Sequence, residues 1–186
     1  MKNIEIRAAS GISLDGKKIV GRPVVYNSPS EDLGGFVEVI APKAFGKSLN
    51  GDIRALVEHD YKMILGRTTS NTLKIGEDSQ GIIVEIDPPN TRTSSELIES
   101  IERGDINGMS FGFMVNPNGA KWDFEQDPAL RTVNDAILSE VTITSLPAYA
   151  ATNVEVAQRS LAEHDIQGFI DDPISVPQAR IRLLGV

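Results

Sequence analysis

Ser110 sits in the stretch GDINGMSFGF, residues 104–113, between Met109 and Phe111 and with Gly108 and Gly112 two residues away on either side. Read as an extended strand, the segment puts Met109, Phe111, Phe113 and Val115 on one face and Ser110, Gly112 and Met114 on the other. The aromatic face calls for a core. The other face offers a hydroxyl beside a glycine, which lets a second backbone come close. A serine becomes a nucleophile when a neighbouring base takes its proton, so the two histidines of the chain come next. His59 closes IRALVEHD, and alternation places it on the face of Ile53, Ala55 and Val57 at a strand end. An imidazole there suits a general base, because it titrates near neutrality beside an apolar wall; a satisfied structural histidine is the plainer reading. His164 lies between Glu163 and Asp165 in polar surroundings and reads as surface.

A carboxylate in AILSEVTIT, residues 136–144, adds a third group. Alternation sets Ile137, Ser139, Val141 and Ile143 on one face and Leu138, Glu140, Thr142 and Thr144 on the other. Glu140 interrupts this strand. A carboxylate in such a place is solvated, pairs across the sheet with a basic residue, or orients an imidazole as the third member of a triad does. Glu58 and Asp60 flank His59 directly, but neighbours in a strand point away from its ring.

Other chemistries lack their parts. The chain has no cysteine, which removes disulfides, thiolate metal sites and a cysteine nucleophile. Glu58, His59 and Asp60 are consecutive and would point to alternate faces of a strand, so a zinc site is not expected, and no cofactor is. The GKK at 16–18 has neither the upstream glycine nor the following Ser or Thr of a phosphate-cradling loop. With 18 basic against 26 acidic residues and a net charge of −8, direct binding to nucleic acid is not expected. The opening MKNIEIRAASG alternates and carries charges, unlike a signal peptide or a membrane anchor, so a soluble intracellular protein is expected.

These residues need a frame. Segments IEIRA, KKIVGRPVVYN, GFVEVI, IRALVEH, NTLKI, GIIVEID, GMSFGFMV and AILSEVTIT are short, rich in Val and Ile, and separated by turn residues, which predicts a mainly β protein built as a compact barrel or a strongly curved sheet. Two peripheral helices are predicted. One is APKAFGKSLN, 41–50; the other is TSSELIESIERGD, 93–105, capped by Ser94 or Ser95, with Leu97, Ile98 and Ile101 on one face and Gly104 as its stop. The texture changes after about residue 158, giving a domain over 1–158 and an appendage over 159–186, of which residues 171–186 are expected to be mobile or packed on a partner molecule and dispensable for the barrel.

Four motifs in order, YNSPSEDLGGFVEVIAPKAF, EHDYKMILGRT, GDINGMSFGF and LSEVTITSLPAYAATNVEV, resemble the prohead, or capsid maturation, proteases of tailed bacteriophages over about residues 20–156. That resemblance implies a serine endopeptidase with His59 and Ser110 as the catalytic pair and Glu140 where the motif places an acid. It implies a single β-barrel similar to the herpesvirus assemblins. Gly108, Phe111 and Gly112 would then support the substrate groove or the oxyanion, with Arg67 of LGRT assisting through water. The substrates implied are the major capsid or scaffold polypeptides, and the protease itself, inside an assembling procapsid in the bacterial cytoplasm; a homo-dimer or higher homo-oligomer stays open. An inactive scaffold or capsid-interaction module on the same fold is the alternative. Lys43 stands where that family usually has glycine, and Leu146 where smaller or polar residues are expected.

Overall fold

The computed structural model describes residues 4–145; the predicted appendage, His164 and the run after Ser145 lie outside the described residues. Twelve strands and one α-helix follow in order among the described residues. They are β1 (Glu5–Ser10), β2 (Ile12–Asp15), β3 (Lys18–Val25), β4 (Phe36–Ile40), β5 (Arg54–Val57), β6 (Asp60–Arg67), β7 (Leu73–Glu77), β8 (Gly81–Ile86), α1 (Arg92–Glu102), β9 (Gly108–Val115), β10 (Ala120–Asp123), β11 (Ala129–Val133) and β12 (Ala136–Thr144). Each of the eight predicted segments contains a strand. The short β2, β10 and β11, and β6 with its broken alternation, were not expected.

The strands form three sheets: β1-β9-β12-β5-β6, β2-β3-β8-β7 and β10-β11-β4. The protein is therefore mainly β as predicted, but no closed barrel exists among the described residues. Within the largest sheet β9 and β12 are central. They run antiparallel to each other, while β12 and β5 run parallel. Ile19, Val24, Ile82, Val84 and Ile86 of the four-stranded sheet pack with Met109, Phe111, Phe113, Val141 and Ile143 of the five-stranded sheet in one continuous core. The core face of GMSFGF is thus filled as the aromatic spacing demanded.

The helix predicted at 41–50 is a series of turns instead. Its bonds close at short range, Ala44 N–H to Ala41 O and Gly46 N–H to Lys43 O. The reason is local: Lys43 has φ 65°, which a right-handed helix cannot include. Glycine adopts this conformation without the steric cost that a side chain brings. The turns drop Phe45 onto Phe111 and Phe113, with ring centroids 6.0 and 5.8 Å away. The second helix forms, with its cap earlier than predicted: Thr91 accepts from Ser94 N–H through its hydroxyl. Leu97 and Ile101 are buried, and Gly104 follows at φ 81°. No helix among the described residues is long and apolar enough to cross a membrane.

β12 departs from the predicted alternation. Its pairing with β9 shifts between Leu138 and Glu140, a bulge at Ser139. One extra residue flips everything before it. Leu138 therefore joins Val141 and Ile143 in the core, while Ile137 is 41% exposed. Ser48 Oγ accepts from the Leu138 N–H beside the bulge.

A buried four-charge cluster joins the small sheet to the large one. Arg131 of β11 bonds Glu5 Oε2 and Oε1 at 2.6 and 3.0 Å and Glu38 Oε2 of β4 at 2.8 Å. Arg7 of β1 bonds Glu5 at 2.8 Å and Glu38 at 3.2 Å. Burial pushes the Glu38 carboxyl up, against the pull of Arg7 and Arg131. Two positive and two negative side chains balance, and removing one member leaves an uncompensated buried charge. Arg131→Met is expected to cost about 3–5 kcal/mol of stability by that mechanism, read by urea unfolding of the full chain.

Candidate functional site

The outer face of the five-stranded sheet, opposite the main core, collects the polar residues. Pairing sets Ser110 of β9 opposite Thr142 of β12, and Gly112 opposite Glu140. Ser110 and Glu140 therefore occupy adjacent cross-strand rows on one face. All three polar side chains are buried: Ser110 and Thr142 at 0% exposure and Glu140 at 2%.

Glu140 is fully engaged. Its Oε1 lies 2.7 Å from His59 Nδ1, and its Oε2 accepts from Thr142 Oγ1 at 2.7 Å. An ionised carboxylate only accepts, so Nδ1 donates in that bond, and a neutral ring held this way would carry its lone pair on Nε2. The arrangement can hold an imidazole in one tautomer and stabilise it when it takes a second proton.

Gly112 makes the space for this carboxylate. A Cβ at that position would come within 2.6 Å of Glu140 Oε1 and 3.1 Å of Ile4 Cγ2. The gap read from the sequence as an approach for substrate is thus filled by the chain's own acid. Gly108 pairs with Ser10 on one side and Thr144 on the other. Phe111 does not face the groove: it is 3% exposed and stacks on Phe113 in the core, 5.4 Å between centroids.

His59 is not on the face of Ile53, Ala55 and Val57. Val57 pairs with Asp60, so Glu58 and His59 are the two central residues of the β5–β6 hairpin turn. Both have positive φ, 49° and 57°. Such turns favour Asn and Gly, and a Glu-His pair gives no sequence signal for one. Leaving the strand is what frees the ring to turn back over the outer face to Glu140.

Ser110 makes a different bond. Its hydroxyl donates to the Arg7 carbonyl of β1 at 2.7 Å. Arg67 is also committed, through Nε and one terminal nitrogen, to the two carboxylate oxygens of Asp52 at 2.6 Å each. This pairing takes two of its five donors and holds it at Asp52. Glu58 and Thr142 are the residues that sequence reasoning passed over; for Thr142 the signal was its place two residues from Glu140 on the same strand face. Beyond the Glu140 row, on the side away from Ser110, a cavity of about 580 Å³ is lined by Ile4, Asp52, Arg54, Tyr61, Ile137 and Ser139 among others. No group of three or more metal-ligating side chains gathers among the described residues.

Two consequences are measurable. Gly112→Ala is expected to push the buried carboxylate off His59, costing about 1–3 kcal/mol of stability as overpacking does and removing the His59 Nδ1–H···Glu140 signal in proton NMR. Glu58 is the second. Burial opposes its charge, but the Ser145 N–H and the Thr144 and Ser145 hydroxyls outweigh it and hold its carboxyl below the ordinary 4.5. A depressed folded value contributes stability above the ordinary range, lost as pH falls through the folded value. A carbon-13 titration of the Glu58 carboxyl is expected to show this turn still latched at pH 4.5 and released only below it.

The model of one protein family, described as caudovirus prohead serine protease, matches residues 2–167. No curated protein matches the chain, and no solved structure does.

Proposed function

Since the chain belongs to the caudovirus prohead serine protease family, we propose that it is a serine endopeptidase acting on capsid or scaffold polypeptides, and on itself, during procapsid maturation. Ser110 is the nucleophile, His59 the general base and Glu140 the residue that orients the ring. The observation that carries this assignment is the 2.7 Å contact between His59 Nδ1 and the buried Glu140 carboxylate, one row from Ser110 on the same face.

The spacing suits the chemistry. Two residues along a strand separate adjacent rows by about 7 Å. One imidazole with a hydrogen bond of about 2.8 Å at each nitrogen fills roughly that span. In the resting chain the Ser110 hydroxyl is parked on the Arg7 carbonyl. For attack it turns to His59 Nε2, which takes the proton as Oγ bonds to the peptide carbon. The imidazolium then returns the proton to the leaving amine. An assemblin-like arrangement of the three sheets is part of this proposal, as are the procapsid in the host cytoplasm and a capsid-derived substrate. Confinement with many substrate copies supplies the encounter, so little intrinsic affinity is needed.

One observation favours the inactive scaffold reading: Ser110 is 0% exposed and its hydroxyl is satisfied by backbone. A serine-directed fluorophosphonate separates the two. An active enzyme gains the phosphonyl mass in intact-mass analysis and shortens itself or a capsid substrate. Ser110→Ala is expected to keep the fold, take no label and lose cleavage by about 10³-fold or more. Wild-type cleavage by Ser110→Ala would falsify the assignment.

A further inference from the structure

Glu58 has no part in the proton transfers proposed above, yet its carboxylate accepts three hydrogen bonds from one place. Thr144 Oγ1 donates to Oε2 at 2.7 Å, and Ser145 N–H and Oγ donate to Oε1 at 2.8 and 2.9 Å. Its own N–H donates to the Ile143 carbonyl at 3.0 Å. Four bonds thus tie one residue to the end of β12. The parallel pairing of β5 with β12 makes this reach short, since Val57 lies level with Ile143.

The turn needs such a tie. Glu58 and His59 both sit at positive φ, a strained conformation for residues other than glycine that persists only when the surroundings over-determine it. The strand that supplies the restraint also carries Glu140. We infer that Glu58 is a positioning residue, latching the His59 turn to β12 so that the imidazole and its carboxylate share one rigid frame. Glu140 of β12 meets the ring at Nδ1, while the Glu58 carboxylate is turned to Thr144 and Ser145. The kinetic arm of the test below rests on the protease reading; the spectroscopic arm does not.

Glycine discriminates this role from simple hairpin stabilisation. Glu58→Gly removes the three carboxylate bonds of the latch but relieves the positive φ, so the hairpin keeps its backbone and its N–H bond to Ile143 while the side-chain tie to β12 is lost. Glu58→Gln keeps an acceptor for Ser145 and lets the Thr144 hydroxyl rearrange. The full chain and both variants are compared by urea unfolding, by fluorophosphonate labelling resolved into binding and inactivation steps, and by proton and nitrogen-15 NMR of the His59 ring, assigned by its loss in His59→Gln. Glu58→Gly is expected to stay folded and to inactivate about 100-fold more slowly, as misplacement of a catalytic group does. Binding of the label should change by no more than about two-fold, and the Nδ1–H···Glu140 signal should vanish. Glu58→Gln is expected to retain the signal and lose about 10-fold or less in rate, in line with partial retention of an outer contact. A folded Glu58→Gly with wild-type inactivation and an intact ring signal overturns the latch. Should that variant unfold, Glu58→Ala decides by the same two readouts. Should the wild type take no label, the protease reading fails, and the ring signal alone decides: loss in Glu58→Gly supports the latch and persistence overturns it.

Discussion

A carboxylate at 2% exposure is tolerated only with partners for its charge, and the outer face of this sheet is arranged around that requirement at Glu140. Thr142 supplies one donor and the His59 ring the other. Gly112 across the ladder gives up its side chain so that Oε1 has room. The Ser139 bulge matters as much. It leaves Leu138 in the core while Glu140, only two residues later, faces the other way. Without the extra residue either the leucine or the acid would sit on the wrong face.

A second electrostatic element works through backbone. The Arg7, Arg131, Glu5 and Glu38 cluster pins β1 against β4 and β11, and the two guanidinium groups also lie over aromatic rings, Arg7 over Phe113 at 5.5 Å and Arg131 over Trp122 at 5.7 Å. β1 is an edge strand of the large sheet. Its Arg7 carbonyl is the acceptor that holds the Ser110 hydroxyl. The position of that acceptor therefore depends on charges contributed by a different sheet, which ties the resting orientation of Ser110 to the packing of the whole domain.

What the sequence made legible was what period and composition control. Alternation in GMSFGFMV separated the core aromatics from Ser110, and the Val- and Ile-rich runs located eight strands. Legibility ended wherever the backbone left the regular period. The bulge at Ser139, the left-handed Lys43 and the Glu58-His59 turn each carry residues that give no local cue for the conformation they adopt. Two of these errors had the same form, a side chain assigned to a face by counting in twos through a point where the count slips, whereas Lys43 broke a helical reading instead. The reach of Glu58 to Ser145 was illegible for another reason, since it spans 87 positions and depends on the parallel β5–β12 pairing.

The distribution of strain argues for where function lies. Among the described residues, six other than glycine have positive φ: Asn27, Lys43, Glu58, His59, Asn71 and Asn118. Three are asparagine, the type that enters this region most easily after glycine. Lys43 heads a surface turn where its N–H reaches the Glu77 carboxylate. The remaining two are adjacent; glutamate is not a type enriched in this region although histidine is, and His59 places its imidazole on a buried acid. An Asn-Gly turn would close the same hairpin with less strain. It would also contain no imidazole and no carboxylate to tie the turn to β12. The sequence keeps the costlier pair where both side chains are bonded, and inference runs properly from such an observed outlier to function.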